Sequence, residues 1–231
     1  MTREIIGFAR LPIEVPSWDD MLSRLHGPWQ PHFNTSGYQG SWDVLSLRSP
    51  GGSDSNIFAD ALQQQPYADT TYMQQLPLVK TVISRLHCPI KAARLLNLKA
   101  GAIIKQHRDH ELAFERGEAR LHFPIATNPG VEFYVQDQLV PMLPGECWYI
   151  NANLPHRVAN NGITDRIHLV IDCDVNDWLT NLFAQGNKVL FKEHVDEERA
   201  RQTIAALRAC NVPATLALAD EMEKELMENT R

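Results

Sequence analysis

The chain predicts a mainly β fold with flanking helices, and three observations carry that prediction. From Lys91 onward it breaks into short runs rich in β-branched and aromatic residues: KAARLLNLKAG, AIIKQHRDH, ARLHFPIAT, VEFYVQD, QLVPMLPG, ECWYIN and RIHLVIDCDV. Gly, Pro, Asn or charged turns separate these runs at even spacing, the pattern of a sandwich, barrel or jelly roll and not of alternating strand and helix. Helical periodicity dominates only beyond Asn176.

Taken in order, Glu4 to Ile13 reads as a strand ended by Pro16, and Ser17 caps a short helix over WDDMLSRLHG. Pro28 to Gly40 is loop-like, Trp42 to Leu47 alternates as a half-buried strand, and SPGGSDS is a turn. Leu76, Val79, Ile83 and Leu86 fall at three- and four-residue spacing, which predicts a helix over 71–86. After the β-rich stretch, Asn176 to Phe183 starts helical structure. Residues 194–210 and 214–228 read as two further helices with Pro213 between them. The expected organisation is a β domain over 1–177 and a helical extension over 178–231, the extension serving as a lid or as a homodimer contact.

With 231 residues, 44% hydrophobic and 22% charged, the chain has the composition of a globular protein. A net charge of −6 argues against a nucleic-acid or anionic-membrane partner. Cys88, Cys147, Cys173 and Cys210 form no CxxC pair, which argues against a zinc ribbon. The opening MTREIIGFARLPIEVPSWDD breaks its apolar run at Arg10, Pro12 and Glu14, so no secretion signal is expected. No stretch reaches the ~18–20 apolar residues of a membrane helix. A cytoplasmic protein with reduced thiols is the expectation.

The chemistry-bearing residues lie between Ile103 and His168. His107 and Asp109 are two apart, so a strand would turn both to one face. His156 follows the Pro144-Gly145 turn and an Asn/Pro-rich approach that can bring a second imidazole to the same mouth. Two imidazoles, one carboxylate and no thiolate form the set that holds a non-haem Fe(II) and leaves one face open. The plain alternative is that H-x-D arises by chance and the histidines are ordinary hydrogen-bonding residues. Arg166 opens a buried-looking strand ten residues after His156, where its fork suits a carboxylate such as the distal one of 2-oxoglutarate. A structural ion pair with Asp165 or Asp172 would explain it as well. Arg120 and His122 share a strand face and either line the same site or end a strand at the surface. Trp148 and Tyr149 face opposite sides, one toward core and one available to a pocket. His87, His110, His168 and His194 carry no functional reading.

The block from Arg94 to Leu112, followed by RLHFPIAT, LPGECWYINANLPHRVAN and DRIHLVID, resembles the aspartyl/asparaginyl β-hydroxylase family, nearest its bacterial branch of free-proline cis-hydroxylases. The resemblance covers roughly residues 4–175. It implies a double-stranded β-helix (jelly-roll, cupin-like) core and an Fe(II)- and 2-oxoglutarate-dependent dioxygenase that consumes O2 and hydroxylates an amino acid, free or in a peptide. It also implies that His107, Asp109 and His156 ligate iron, that Arg166 binds the co-substrate's distal carboxylate, and that Arg120 and His122 line that site. The animal peptide hydroxylases of the family lack the carboxylate ligand, and Asp109 sets this chain apart from them. The rival expectations are a cupin-type metalloenzyme that does not use 2-oxoglutarate, a barrel that only binds a small ligand, and an interaction protein working through its helical tail.

Overall fold

The chain enters the fold on β1 (Thr2–Leu11), crosses two short strands, β2 (Gln30–Pro31) and β3 (Tyr38–Gln39), and continues into β4 (Trp42–Pro50) and β5 (Tyr67–Asp69). The computed structural model describes residues 2–18, 21–22, 28–57, 65–109, 112–194 and 197–228. The helix expected after Ser17 falls largely outside them. A 3-10 turn at Thr71–Gln75 and helix α1 (Pro77–Ser84) stand where one continuous helix was expected. The break is local chemistry: Leu76, at φ −122° and ψ 69°, precedes Pro77, whose ring disfavours helical backbone in the residue before it. Pro77 then sits at the start of α1, where its missing N–H costs nothing.

Eight strands follow: β6 (Ile90–Leu98), β7 (Ile103–His107), β8 (Glu118–Ala126), β9 (Val131–Val135), β10 (Gln138–Leu139), β11 (Cys147–Ile150), β12 (His156–Asn160) and β13 (Arg166–Asp174). Their pairing defines the architecture. β6 pairs with β13, β7 with β12, β8 with β11 and β9 with β10, all antiparallel, so the segment is one long hairpin. The hairpin is folded across two sheets and closed by β8–β13 and β9–β12. One sheet runs β1-β11-β8-β13-β6-β4-β2 with β5 on β4, and the other β10-β9-β12-β7-β3. This is the jelly roll, the double-stranded β-helix. β12 was not foreseen as a strand, because its HRVAN sequence is short and mixes polar with apolar residues on both faces.

β13 sits between β8 and β6 and is buried on both faces from Arg166 to Cys173, with the polar Arg166, His168 and Asp172 on one face and Ile167, Leu169, Ile171 and Cys173 on the other. One face looks into the roll. On the other, Tyr149 of β11 packs at 4.9 Å on Phe183 of helix α2 (Asp177–Gln185), which also stacks at 4.3 Å on Phe114. Asn176 caps α2 by accepting from the Leu179 N–H at 3.0 Å. The Pro144-Gly145 turn before β11 uses a φ of +83° that glycine alone adopts without strain.

The chain divides into two compact units, Gly7–Val189 and a second made of residues 1–6 with Leu190–Arg231. That division falls later than the expected 177/178 boundary, since α2 packs on β11 in the larger unit. A further strand, β14 (Asn187–His194), precedes helices α3 (Glu197–Ala209) and α4 (Pro213–Glu228). In the smaller unit α3 and α4 pack on each other, with Arg208 reaching Asp220 at 3.0 Å and Glu223 at 2.5 Å. Among the described residues no helix is long and apolar enough to cross a membrane.

Candidate active site

The two histidines of the expected triad are cross-strand partners: His156 opens β12 directly opposite His107, which ends β7. Their rings lie 4.2 Å apart. Asp109 lies just past the end of β7, so strand alternation does not place it. Its N–H donates to the Ala152 carbonyl at 2.8 Å, and that bond folds the turn toward the approach to β12. One donor atom from each of His107, Asp109 and His156 lies within 4.8 Å of the others.

The imidazoles are set for coordination. His107 Nδ1 donates to the Lys105 carbonyl at 2.8 Å and His156 Nδ1 to the Leu154 carbonyl at 2.9 Å, since a carbonyl can only accept. The tautomer selected by these bonds leaves Nε2 as the lone pair free for a ligand, the arrangement that second-sphere hydrogen bonds impose on metal-ligating histidines. Burial, and after it the nearby His107, lowers the His156 pKa to about 4, so it is neutral at pH 7.

Asp109 is held from behind. Its Oδ2 pairs with Arg120 Nη1, while Oδ1 lies 3.8 Å from His107 Nε2. Arg120 in turn donates through Nε and Nη2 to the two oxygens of Asp172 at 2.7 and 3.0 Å, and Arg94 pairs with Asp172 Oδ2. Four alternating charges, Arg94, Asp172, Arg120 and Asp109, thus run from β6 through β13 and β8 to the triad. Burial opposes the charge on Asp172, but Arg120 and Arg94 outweigh it and hold its pKa at about 2. Burial also opposes the Asp109 charge, yet Arg120, then His156 and His107, keep its carboxyl below the ordinary range. Neither Arg94 nor Asp172 was expected at the site. The signal was present: each is a charged residue between apolar neighbours, Ala93 and Leu95 or Ile171 and Cys173, and such a residue needs a partner.

A cavity of about 250 Å³ opens beside the triad, lined by His107, Asp109, Arg120, Arg94 and Trp42 among others. His32 stacks on Trp42 at 3.5 Å and 13°, and Trp42 lies 6.5 Å from His107. His32 and Trp42 went unrecognised as wall residues, since the stretch around His32 reads only as loop.

Arg166 stands apart from this chain of charges. It is 1% exposed, donates Nη2 to His168 Nδ1 at 2.8 Å, and leaves Nε without a partner. The carboxylates weighed for it are engaged elsewhere: Asp165 with Lys99 at 2.8 Å, and Asp172 with Arg94 and Arg120. Burial alone brings its pKa down to about 9, so it stays cationic at neutral pH. Its Cζ lies 5.7 Å from the Phe133 ring, and that ring stacks parallel to His156 at 6.1 Å. His122 belongs with this group, 5.6 Å from Phe133 and 5.8 Å from His168, with Nδ1 unpartnered. Burial, followed by Arg166 and Arg120, keeps His122 neutral. Arg120 and His122 therefore part company: Arg120 serves the Asp109 side and His122 the Arg166 side. His168, given no role from the sequence, is the partner of Arg166. His110 and the side chain of His194 lie outside the described residues, and His87 packs on Trp178 at 5.3 Å. Trp148 donates its indole N–H to Glu146 at 2.8 Å and lines neither the triad's cavity nor the Arg166 side.

A family model described as aspartyl/asparaginyl beta-hydroxylase matches residues 19–175. An L-proline cis-4-hydroxylase of Rhizobium meliloti (strain 1021) is 28% identical over 135 residues, 58% of this chain and 48% of that protein. An L-proline cis-3-hydroxylase of a Streptomyces species is 28% identical over 138 residues, 58% of this chain and 47% of that protein. The chain spans about half the length of these relatives. A solved oxidoreductase of the 2OG-Fe(II) oxygenase family from Burkholderia pseudomallei is similar over 69% of this chain and 79% of its own, at 14% identity and a TM-score of 0.44. The family match extends over more than half of the sequence, and the chain belongs to the aspartyl/asparaginyl β-hydroxylase family.

Proposed function

We infer that this protein is an Fe(II)- and 2-oxoglutarate-dependent dioxygenase that hydroxylates a small amino acid. The observation that carries the reading is a pair of sites in one roll: a two-imidazole, one-carboxylate cluster and a buried guanidinium with no carboxylate of its own among the described residues. The cluster fits ferrous iron by its chemistry, with nitrogen and oxygen donors, both Nε2 lone pairs free and an open cavity on one side. Arg166 fits the distal carboxylate of 2-oxoglutarate, because a buried cation without an anion is costly and a bidentate carboxylate relieves that cost. Together with O2, such a centre supplies oxidative decarboxylation to succinate and CO2 and delivers a hydroxyl to an unactivated carbon.

The chain's own residues hold and aim. His107 and His156 present lone pairs fixed by the Lys105 and Leu154 carbonyls. Arg120 restrains one oxygen of Asp109 and leaves the other on the histidine side, while Asp172 fixes Arg120. His122 stays neutral beside Arg166 and adds no charge to repel a dicarboxylate's partner. The cavity of about 250 Å³ has room for a single amino acid. Arg94, Arg120 and Trp42 all line it, and this suits a substrate that has both a carboxylate and an aliphatic ring or chain. The similarity to proline cis-hydroxylases supports an amino acid of that size.

Anaerobic equilibrium dialysis against ferrous iron tests the metal reading. One iron per chain is expected for the wild type, with most of it lost in His107→Ala, His156→Ala and Asp109→Gly. Wild-type stoichiometry in either histidine variant would remove that residue from the ligand set.

A further inference from the structure

Cys88 and Cys173 are far apart in sequence, but the fold brings their thiols into hydrogen-bond contact. The backbone enforces the meeting. Cys173 lies next to the end of β13, opposite Ile90, the first residue of β6. Its neighbour Asp174 donates its N–H to the Pro89 carbonyl at 2.9 Å. On the other side of Cys88, the His87 carbonyl accepts from Asn176 Nδ2 at 2.8 Å, and the His87 ring packs on Trp178 at 5.3 Å. Cys88 is thus clamped at both neighbours, and Pro89 restricts it further to extended backbone. Cys173 is buried, its Sγ 3.6 Å from the Ala119 carbonyl, whereas Cys88 is only half-buried. Both are free thiols.

The two sulfurs are not equivalent. The hydrogen bond from Cys173 lowers the Cys88 pKa, against burial and Asp174, which raise it. The same bond, followed by burial, raises the pKa of Cys173. The thiolate is the form that attacks an oxidant, so Cys88 has both the reactivity and the access, with Cys173 directly behind it.

We propose that Cys88 and Cys173 form a peroxide-reactive dithiol that closes reversibly to an intramolecular disulfide. The Cys88 sulfur attacks one oxygen of the peroxide and the O–O bond breaks. Cys88 becomes a sulfenic acid, and the departing oxygen takes up the thiol's proton and leaves as water. The Cys173 sulfur then attacks the Cys88 sulfur, gives up its own proton and expels the sulfenic oxygen as a second water. In all, two thiols lose two electrons and two protons, and one hydrogen peroxide is reduced to two waters. The bond would staple the end of β13, one residue past Asp172, to the segment that leads into β6. It uses neither the triad nor Arg166, so it stands independently of the hydroxylase reading.

The test is treatment of the metal-free full-length protein with hydrogen peroxide, quenched by catalase and blocked with N-ethylmaleimide in denaturant, read by intact mass and peptide mapping. Untreated protein should take up four maleimides, one per cysteine. Oxidised protein should take up two, with a Cys88–Cys173 link in the map and full uptake restored by dithiothreitol. Cys210, which is exposed, is the internal comparison. Exposure alone would make it react first, whereas Cys88 should be consumed before it. Cys88→Ser changes a half-buried position and should leave Cys173 a free thiol. Cys173→Ala should instead leave Cys88 as a sulfenic acid that dimedone labels. Cys147 is the competing partner, buried on β11 and close enough for a charge on Cys88 to raise its pKa after burial has done so. A disulfide from Cys88 to Cys147, oxidation of Cys210 ahead of Cys88, or no loss of maleimide uptake at large peroxide excess would each overturn the proposal. So would Cys88 advancing to sulfinic acid while Cys173 remains a thiol.

Discussion

Asp172→Asn strikes the charge chain at its centre with almost no change of shape. Asp172 is 5% exposed, is the shared partner of Arg94 and Arg120, and accepts at 2.7 and 3.0 Å from Arg120 alone. The amide keeps the volume but removes the charge, leaving two buried guanidinium groups with Asp109 as their remaining anion. Breaking a buried pair from one side costs about 3–5 kcal/mol. At about 2–4 °C per kcal/mol for a chain of this size, the melting temperature should fall by roughly 6–20 °C. The pH dependence has a definite sign. The Asp172 pKa is depressed from 3.8 to about 2, so its contribution is complete above 3.8 and is lost as pH falls through about 2. That depression corresponds to about 2 kcal/mol, so the gap between wild type and variant should narrow by about that much in strong acid. Urea unfolding followed by circular dichroism from pH 7 to pH 2 measures both effects. A variant within 1 kcal/mol of wild type at pH 7, or a gap that widens on acidification, would refute the reasoning.

Further predictions follow from the same geometry. Arg166→Lys keeps the charge but loses the fork, so the KM for 2-oxoglutarate should rise roughly ten- to hundredfold with iron affinity little changed. An unchanged KM in Arg166→Ala would move that role elsewhere. His107→Ala and His156→Ala should lose iron while retaining a cooperative melt, checked by dialysis and calorimetry on the same samples, since both rings border a cavity. Phe183→Ala removes a ring packed on both Tyr149 and Phe114 and should cost about 3–5 kcal/mol in urea unfolding without altering iron stoichiometry.

The β-rich block, its short strands and the capped helix at Asn176 were legible in the sequence because local pattern decides them. β14 was not, since NKVLFKEH carries as many charges as strand-forming residues. The split of the 71–86 helix was readable in principle from Pro77, but the apolar spacing runs across the break and hides it. The sequence singled out His107, Asp109, His156, Arg120, His122 and Arg166 as candidates, and the structure divides them into two groups. Sequence distance could not show that Arg120 turns toward Asp109 while His122, on the same strand face, neighbours His168. That division depends on Asp172, which lies directly opposite Arg120 in the β13–β8 register. His32, a loop residue stacked on Trp42, had no local signal, because only the tertiary fold brings the loop over β4.

The central claim is that one roll couples decarboxylation of 2-oxoglutarate to hydroxylation of a small amino acid. The most direct measurement supplies the ferrous-loaded protein with 2-oxoglutarate, labelled dioxygen and a panel of free amino acids that includes L-proline, and follows succinate and product by mass spectrometry. The account predicts that at least one amino acid raises succinate release well above the substrate-free rate and gains one labelled oxygen atom in proportion. No oxygen-dependent succinate with any amino acid, from protein shown to hold one iron per chain, would contradict it.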